Sequence, residues 1–217
     1  MKIALIGASG FVGSKILDEL LNRNHEVKVI VRHPEKISVS NHLLTTVKAD
    51  VFNENNLAEV LKGCDVVVSA YNPGWTNPNI YDDFMKGAAA IQNATKMAGV
   101  KRLIVIGGAG SLYIAPNLQL IDTPEFPAEI KPGALAARDY LNIIKTEKEL
   151  DWTYFSPAIE MHQGTAGIRK GVYRLGLDEP VFDENKRCIL SVEDVAVVIA
   201  DEIENPKHIK QRFTAAY

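Results

Sequence analysis

The chain begins M-K-I-A-L-I-G-A-S-G-F-V-G-S-K-I-L (residues 1–17), where a short apolar run leads directly into three spaced glycines. Residues 3–6 predict a buried strand, and apolar residues recur at helical spacing beyond the glycines. In this setting Gly7 allows a tight exit from the strand, Gly10 lets backbone N–H groups approach a ligand, and Gly13 lets the helix pack close to the sheet. The stretch therefore predicts a strand, a glycine turn and a helix that open an α/β fold.

The glycine turn is also a predicted binding site for a pyrophosphate. The first N–H groups of a helix have no intrahelical partner and lie at the positive end of the helix dipole, so they favour an anion. A glycine-rich turn that holds nothing would have the same spacing, but the order of strand, turn and helix favours a dinucleotide. The predicted site consists of Gly7, Ser9, Gly10, Phe11, Val12 and Gly13.

Short β-branched runs alternate with helical patterns along the chain, which is typical of βαβ units on a parallel sheet. Several runs are apolar throughout, as expected for strands covered by helices on both faces. The predicted strands are residues 3–6, 27–31, 45–47, 66–69, 103–106 and 152–155. We predict an α/β fold of the Rossmann type: a doubly wound parallel sheet in the order 3-2-1-4-5-6, with helices on both faces and an extra strand allowed at the edge.

The chain length of 217 residues predicts a single domain, residues 1–217. Two long stretches, at about 107–133 and 156–190, interrupt the alternation with proline, glycine and aromatic residues. Loops of this length are usually either functional or disordered. Their aromatic and aliphatic content predicts ordered walls of a substrate pocket.

The composition argues against several classes of partner and site. The net charge is −3 and the basic residues are scattered, which disfavours a nucleic-acid surface. No apolar run approaches the roughly 18 residues of a membrane span, and no secretory signal opens the chain, so we predict no membrane contact and a cytoplasmic location. Cys64 and Cys188 lie in separate predicted elements, and the histidines lack ligand spacing, so no metal site is predicted. The expected partner is a small molecule; oligomeric state is left open.

Several segments together resemble the extended and atypical branches of the short-chain dehydrogenase/reductase superfamily. The glycines follow G-x-x-G-x-x-G, and D-V-F-N (50–53) is similar to the segment that contacts adenine. Two segments resemble the family's strands beneath the cofactor: V-V-V-S-A-Y (66–71) and L-D-W-T-Y-F-S-P-A (150–158). A third segment, L-S-V-E-D-V-A (190–196), resembles the family's closing helix. The chain is most similar to the NAD(P)H-binding group of NADH-flavin reductase-like and NmrA-like proteins. The resemblance implies further cofactor contacts at Asp50, Val51, Ala70, Tyr71, Pro157 and Ala158.

The choice between NAD and NADP is expected about 20 residues past the glycines, where an acid binds the ribose of NAD or an arginine meets the 2′-phosphate of NADP. That region reads V-I-V-R-H-P-E-K (29–36). Arg32 and His33 end the strand, and Glu35 lies beyond Pro34. An arginine can contact phosphate with two parallel hydrogen bonds. We therefore predict NADP, with Arg32 and His33 in the site; NAD stays open if Arg32 only stacks on adenine or is solvated.

Most short-chain enzymes use a Tyr-x-x-x-Lys pair, because residues four apart share a helix face and the ammonium lowers the tyrosine pKa. None of the seven tyrosines is followed by lysine four places on. Tyr140 and Lys145 are five apart and point roughly 140° away from each other, so we expect one in the core and the other in solvent. Because the sequence lacks this proton-donating tyrosine, it favours acceptors that are already electrophilic, such as flavins and quinones, which can take a proton from solvent.

Two residues after the fifth strand are candidates for catalysis. Ligands bind outside the carboxyl ends of parallel strands, so I-G-G-A-G-S-L-Y (106–113) is expected to border the nicotinamide. Ser111 and Tyr113 could each orient a carbonyl or donate a proton. The alternatives are that Ser111 satisfies backbone groups of its loop and that Tyr113 is a pocket wall.

Three functions remain open from the sequence. The first is an NAD(P)H-dependent oxidoreductase that transfers a hydride to a conjugated acceptor, such as a flavin, a quinone or another carbonyl compound. The second is an NAD(P)-dependent epimerase or dehydratase of nucleotide sugars, which the missing Tyr-x-x-x-Lys pair disfavours. The third is a non-catalytic NADP-binding redox sensor of the NmrA-like type, which would bind the cofactor without turnover.

Overall fold

The computed structural model describes residues 1–217 and is organised around one eight-stranded sheet with a separate small hairpin. The strands are β1 (Lys2–Ile6), β2 (Glu26–Val31), β3 (Leu44–Lys48), β4 (Val66–Ser69), β5 (Arg102–Ile106), β6 (Tyr113–Ala115), β7 (Leu118–Gln119), β8 (Asp151–Ser156), β9 (Arg174–Gly176) and β10 (Gln211–Ala216). The helices are α1 (Phe11–Asn22), α2 (Glu54–Leu61), α3 (Ile80–Met97), α4 (Lys131–Ile144) and α5 (Val192–Glu204). No helix combines the length and the apolarity that crossing a membrane requires.

The sheet order is β3-β2-β1-β4-β5-β8-β10-β9, which confirms the predicted Rossmann order, with β8 in the sixth position. The six predicted strands pair in parallel; in β1, for example, Ile3 lies opposite Val27 of β2 and Val66 of β4. Two further strands extend the edge, β10 in parallel to β8 and β9 antiparallel to β10. The extra edge strand allowed by the prediction is therefore a pair of strands.

Apolar side chains on both faces of the sheet explain why the strands read as continuous hydrophobic runs. In β1, Ile3 and Leu5 belong to one core, and Ala4 and Ile6 to the other. Helices α1 and α5 cover the first face, and α2, α3 and α4 cover the second. The strand order reverses direction between β1 and β4, and this is the point at which open α/β sheets bind ligands, beyond the carboxyl ends of their strands.

The two stretches predicted as pocket walls are ordered. The first contains a 3₁₀ turn at Ala109–Ser111, the β6–β7 hairpin and a second 3₁₀ turn at Leu120–Asp122 before α4 begins. The second contains a 3₁₀ turn at Gln163–Thr165 and strand β9. Ile121, completely buried in the first stretch, anchors that stretch to the protein.

Candidate functional site

A cavity of about 700 Å³ opens along the carboxyl ends of β1, β4, β5 and β8. Its volume falls within the range of about 300–1,000 Å³ that is usual for small-molecule sites. The glycine turn forms one end, and the loops after β4 and β5 form the floor. Residues of both long stretches and one face of α4 form the remaining walls.

Each of the three positions in the turn is a glycine for a different structural reason. Gly7 has φ +85°, and a Cβ there would lie 2.3 Å from the carbonyl oxygen of Ala70. A Cβ on Gly13 would lie 2.1 Å from the carbonyl oxygen of Gly7, so both positions exclude a side chain because of the protein itself. Gly10 lines the cavity, and its added Cβ would meet only the Gly7 carbonyl, at 3.3 Å. At Gly10 the missing side chain therefore leaves room for a ligand.

The first turn of α1 presents hydrogen-bond donors without partners. The amide of Ser14 donates to Gly10 at 3.0 Å, whereas the amides of Phe11, Val12 and Gly13 have no acceptor within the protein. No side chain caps the helix, and its first turn contains no acid. All three residues line the cavity. This end of the cavity fits a diphosphate, which supplies the acceptors that the protein omits.

The residues predicted near the adenosine end lie after the carboxyl ends of β2 and β3. Arg32 is exposed and forms no ion pair, whereas His33 Nδ1 lies 3.0 Å from Glu35 Oε1. Asp50 is exposed and accepts a hydrogen bond from the Phe52 amide at 3.0 Å, and the neighbouring valine, Val51, is buried. Ser9 is exposed at the tip of the glycine turn. Among the predicted residues, Arg32 is thus the cation that remains available for a phosphate.

Four of the remaining predicted contacts line the cavity: Ala70, Tyr71, Pro157 and Ala158. The Tyr71 hydroxyl donates to the backbone carbonyl of Asp83 at 3.1 Å. Burial, and secondarily the negative charge of Asp83, raise the pKa of Tyr71 to about 12. Because this phenol is engaged and stays protonated, Tyr71 serves as a wall of the cavity.

Helix α4 presents only small residues to the cavity: Gly133, Ala134 and Ala137. Tyr140, on the same helix, is 1% exposed and donates to Gln92 Oε1 at 3.1 Å, while Lys145 is exposed beyond the end of the helix. The expected separation of these two residues into core and solvent is confirmed. The helix face toward the cavity carries no proton donor.

The structure corrects the expected positions of Ser111 and Tyr113, neither of which lines the cavity. The 3₁₀ turn at Ala109–Ser111 directs the serine hydroxyl into the protein, 3.4 Å from the Ser156 hydroxyl, and the side chain is 2% exposed. Arg212 donates to the carbonyl oxygen of Ser111 at 3.2 Å. Tyr113 begins β6 outside the cavity. Their proposed catalytic roles rested on contact with the acceptor, and this geometry does not support that contact.

Several wall residues were not identified individually from the sequence. The two long stretches contribute, among others, Glu125, Phe126, Ile130, Met161, His162 and Gln163. His162 Nδ1 accepts a hydrogen bond from the Gly164 amide at 3.0 Å, which places the ring proton on Nε2. The length of the stretches and their aromatic and aliphatic content indicated a pocket wall, but the orientation of each side chain depends on non-local packing.

Comparison with known proteins agrees with this geometry. The NAD(P)H-binding family matches residues 7–206. The uncharacterized protein YwnB of Bacillus subtilis is 36% identical over 216 residues, which cover 99% of this chain and 97% of YwnB.

Two solved structures cover the full length of the chain. The crystal structure of a candidate epimerase from Bacteroides thetaiotaomicron is 49% identical, with a TM-score of 0.92 and coverage of 100% of this chain and 96% of that one. The crystal structure of a candidate NADH-flavin reductase from Streptococcus pneumoniae is 34% identical, with a TM-score of 0.86. The match covers 100% of this chain and 99% of the Streptococcus pneumoniae chain. The match along residues 7–206 and these full-length similarities show that the chain belongs to the NAD(P)H-binding family, with the Rossmann fold of its oxidoreductase and epimerase-like members.

Proposed function

We propose that the protein is an NAD(P)H-dependent oxidoreductase that transfers a hydride to a conjugated acceptor such as a flavin or a quinone. The observation that carries the proposal is a single cavity in which three unpartnered amides of α1 adjoin an apolar chamber. The walls of this chamber include Trp75, Phe84, Phe126, Ile130, Ile159 and Met161. A nicotinamide cofactor, when bound, supplies the hydride, that is, two electrons and one proton. The protein supplies binding and orientation.

The chain's own residues account for cofactor binding in three places. The amides of Phe11, Val12 and Gly13 donate hydrogen bonds to the diphosphate, assisted by the positive end of α1. Arg32, which is exposed after β2, would contact the 2′-phosphate of the adenosine ribose. Pro157 and Ala158, which follow the carboxyl end of β8, would form an apolar surface against the nicotinamide ring at the other end of the cofactor.

The same cavity orients the acceptor. Its aromatic walls, among them Trp75, Phe84 and Phe126, favour a flat ring placed against the nicotinamide. The acceptor receives the hydride, and solvent at the open mouth delivers the second proton, so no residue has to act as a general acid. Holding two rings in contact is in itself a large contribution to rate.

We expect purified protein to accelerate the loss of NADPH absorbance when a quinone or a flavin is added. If the protein is instead an epimerase, it should act on nucleotide sugars without net NADPH consumption. Tight NADPH binding with no turnover of any flavin or quinone would contradict the proposal and favour a sensor. The control is the protein without acceptor, which measures direct reaction with oxygen.

Substitution Arg32→Ala is expected to weaken NADPH binding by about 10–100-fold, because a charged hydrogen-bonded contact contributes about 1.5–3 kcal/mol. NADH binding should change little, because NADH lacks the 2′-phosphate. Dissociation constants for both cofactors, measured by calorimetry, check this. Lys36→Ala, at an exposed cation in the next turn, is the matched control. Wild-type preference for NADH would contradict the assignment.

A further inference from the structure

We propose that the acceptor of this site is an uncharged, flat aromatic compound of the quinone type, and that acceptors carrying a phosphate or another anionic group are selected against. The inference rests on the proposed function and narrows it to one class of substrate. It follows from the chemistry of the chamber walls.

Beyond the glycine turn, the cavity wall is made largely of apolar side chains, and we take this part as the acceptor chamber. Its walls include Trp75, Phe84, Phe126, Ile130, Ile159 and Met161. Of the 29 residues that line the whole cavity, 16 are hydrophobic and none is lysine or arginine. A phosphate brought into this chamber would lose water without gaining a charged partner, which is costly.

The one formally charged residue in the cavity wall has the wrong sign for an anionic acceptor. Glu125 lies in the first long stretch and lines the cavity. A carboxylate at this position repels a phosphate or a sulfonate, while it affects a neutral ring little. The wall therefore discriminates by charge as well as by polarity.

The two cations of α4 offer no free charge to the chamber. Arg138, on α4, contacts Asp122 Oδ1 at 3.0 Å and Asp139 Oδ1 at 3.2 Å. Lys131, the first residue of the same helix, does not line the cavity. The chamber wall thus offers an anionic acceptor no free cationic side chain.

The polar groups that the chamber does have suit carbonyl oxygens. His162 carries its ring proton on Nε2, because Nδ1 accepts from Gly164, and Gln163 beside it has an amide donor. Both line the cavity. A quinone oxygen can accept from such donors without bringing a charge into the chamber.

Two matched pairs of acceptors test the inference. Lumiflavin and FMN share the isoalloxazine ring, and FMN adds a ribityl phosphate; 1,4-naphthoquinone and its 2-sulfonate differ by one anionic group. With NADPH present, we expect kcat/KM to be at least about tenfold higher for the uncharged member of each pair, equivalent to about 1.4 kcal/mol. Equal or higher kcat/KM for the charged members would overturn the inference while leaving the reductase activity established.

Binding without turnover gives an independent measurement. Trp75 lines the cavity and is 57% exposed, whereas Trp152, the only other tryptophan, is 2% exposed. Quenching of tryptophan fluorescence should show tighter binding of naphthoquinone than of its sulfonate, and Trp75→Phe should remove most of the signal. If no acceptor is reduced but this preference persists, the proposed function fails and the binding inference stands; without the preference, the inference fails too.

Reversing the charge of the wall should change the selectivity. Glu125→Lys is expected to raise kcat/KM for FMN relative to lumiflavin by about tenfold. Glu129→Lys, at an exposed acid four residues further on that does not line the cavity, is the matched control and should leave the ratio unchanged. An unchanged ratio in Glu125→Lys would contradict the role given to this carboxylate.

Discussion

Replacing Glu202 with leucine is expected to lower the free energy of unfolding by about 3–5 kcal/mol, the usual cost of breaking a buried ion pair from one side. Glu202 is 4% exposed, and its Oε1 lies 2.8 Å from Arg102 Nη2. The same carboxylate accepts from the amide of His208 at 3.0 Å and lies 2.8 Å from its Nδ1. Burial lowers the pKa of Arg102, and Glu202 opposes that shift. Leucine would leave this guanidinium charged and buried without its partner.

Urea unfolding of the variant measures the effect, and two controls identify its cause. In the double variant Arg102→Met with Glu202→Leu, both charges are gone, so much of the stability should return. Glu160→Gln breaks the exposed pair with Arg187 and should cost less than about 1 kcal/mol. A loss below about 1 kcal/mol in Glu202→Leu would contradict the interpretation that this pair ties β5 to α5.

The second large effect is expected at the glycine turn, where Gly10→Val should weaken NADPH binding by about 100-fold, or about 2.7 kcal/mol. Position 10 has φ −88°, which any residue can adopt, and an added Cβ meets only the Gly7 carbonyl oxygen, which at 3.3 Å has to move by a few tenths of an ångström. The valine methyl groups would occupy the space in front of the amides of Phe11, Val12 and Gly13. The diphosphate would then lose contact with these donors.

Calorimetric titration with NADPH, together with the melting temperature of the unliganded variant, separates binding from folding. Gly10→Ala should show a smaller loss, of about tenfold, because one methyl group fills less of the space. Ala89→Val places the same side chain at an exposed position of α3, outside the cavity, and should bind NADPH normally. Unimpaired binding by Gly10→Val would show that phosphates do not lie at this turn.

The sequence predicted those parts of the fold that depend on local pattern. The strand cores at residues 3–6 and 27–31 and the helix after the glycine turn were found because apolar periodicity is a local property. The edge of the sheet was not predicted in detail. Strand β10 (Gln211–Ala216) ends in small residues and is fixed by pairing with β8, a contact between segments far apart in the chain.

The candidate site was predictable where backbone geometry determines it and not where side-chain direction does. Gly7, Gly10 and Gly13 were assigned from spacing; the structure supplies a steric reason for Gly7 and Gly13, and it places Gly10 in the cavity wall. Ser111 was placed in the correct loop, but the 3₁₀ turn rotates its hydroxyl toward Ser156 and away from the cavity. That rotation depends on packing against distant strands, so no local pattern encodes it.

The walls of the chamber illustrate the same limit. The lengths of the two irregular stretches indicated a pocket, but the positions of Glu125, Phe126 and His162 in its wall depend on how the stretches fold back over the sheet. The charge pattern that leads to the uncharged-acceptor inference therefore became visible only in three dimensions.

Hydride transfer is tested most directly by a single-turnover experiment without oxygen, in which protein loaded with one equivalent of NADPH is mixed with 1,4-naphthoquinone. We expect NADPH oxidation to be much faster than the same reaction without protein. We also expect deuterium at the transferred position of the nicotinamide to slow the reaction, because the hydride moves in the measured step. Oxidation at the protein-free rate, with NADPH still tightly bound, would contradict the proposed function and leave a cofactor-binding protein that does not catalyse this reaction.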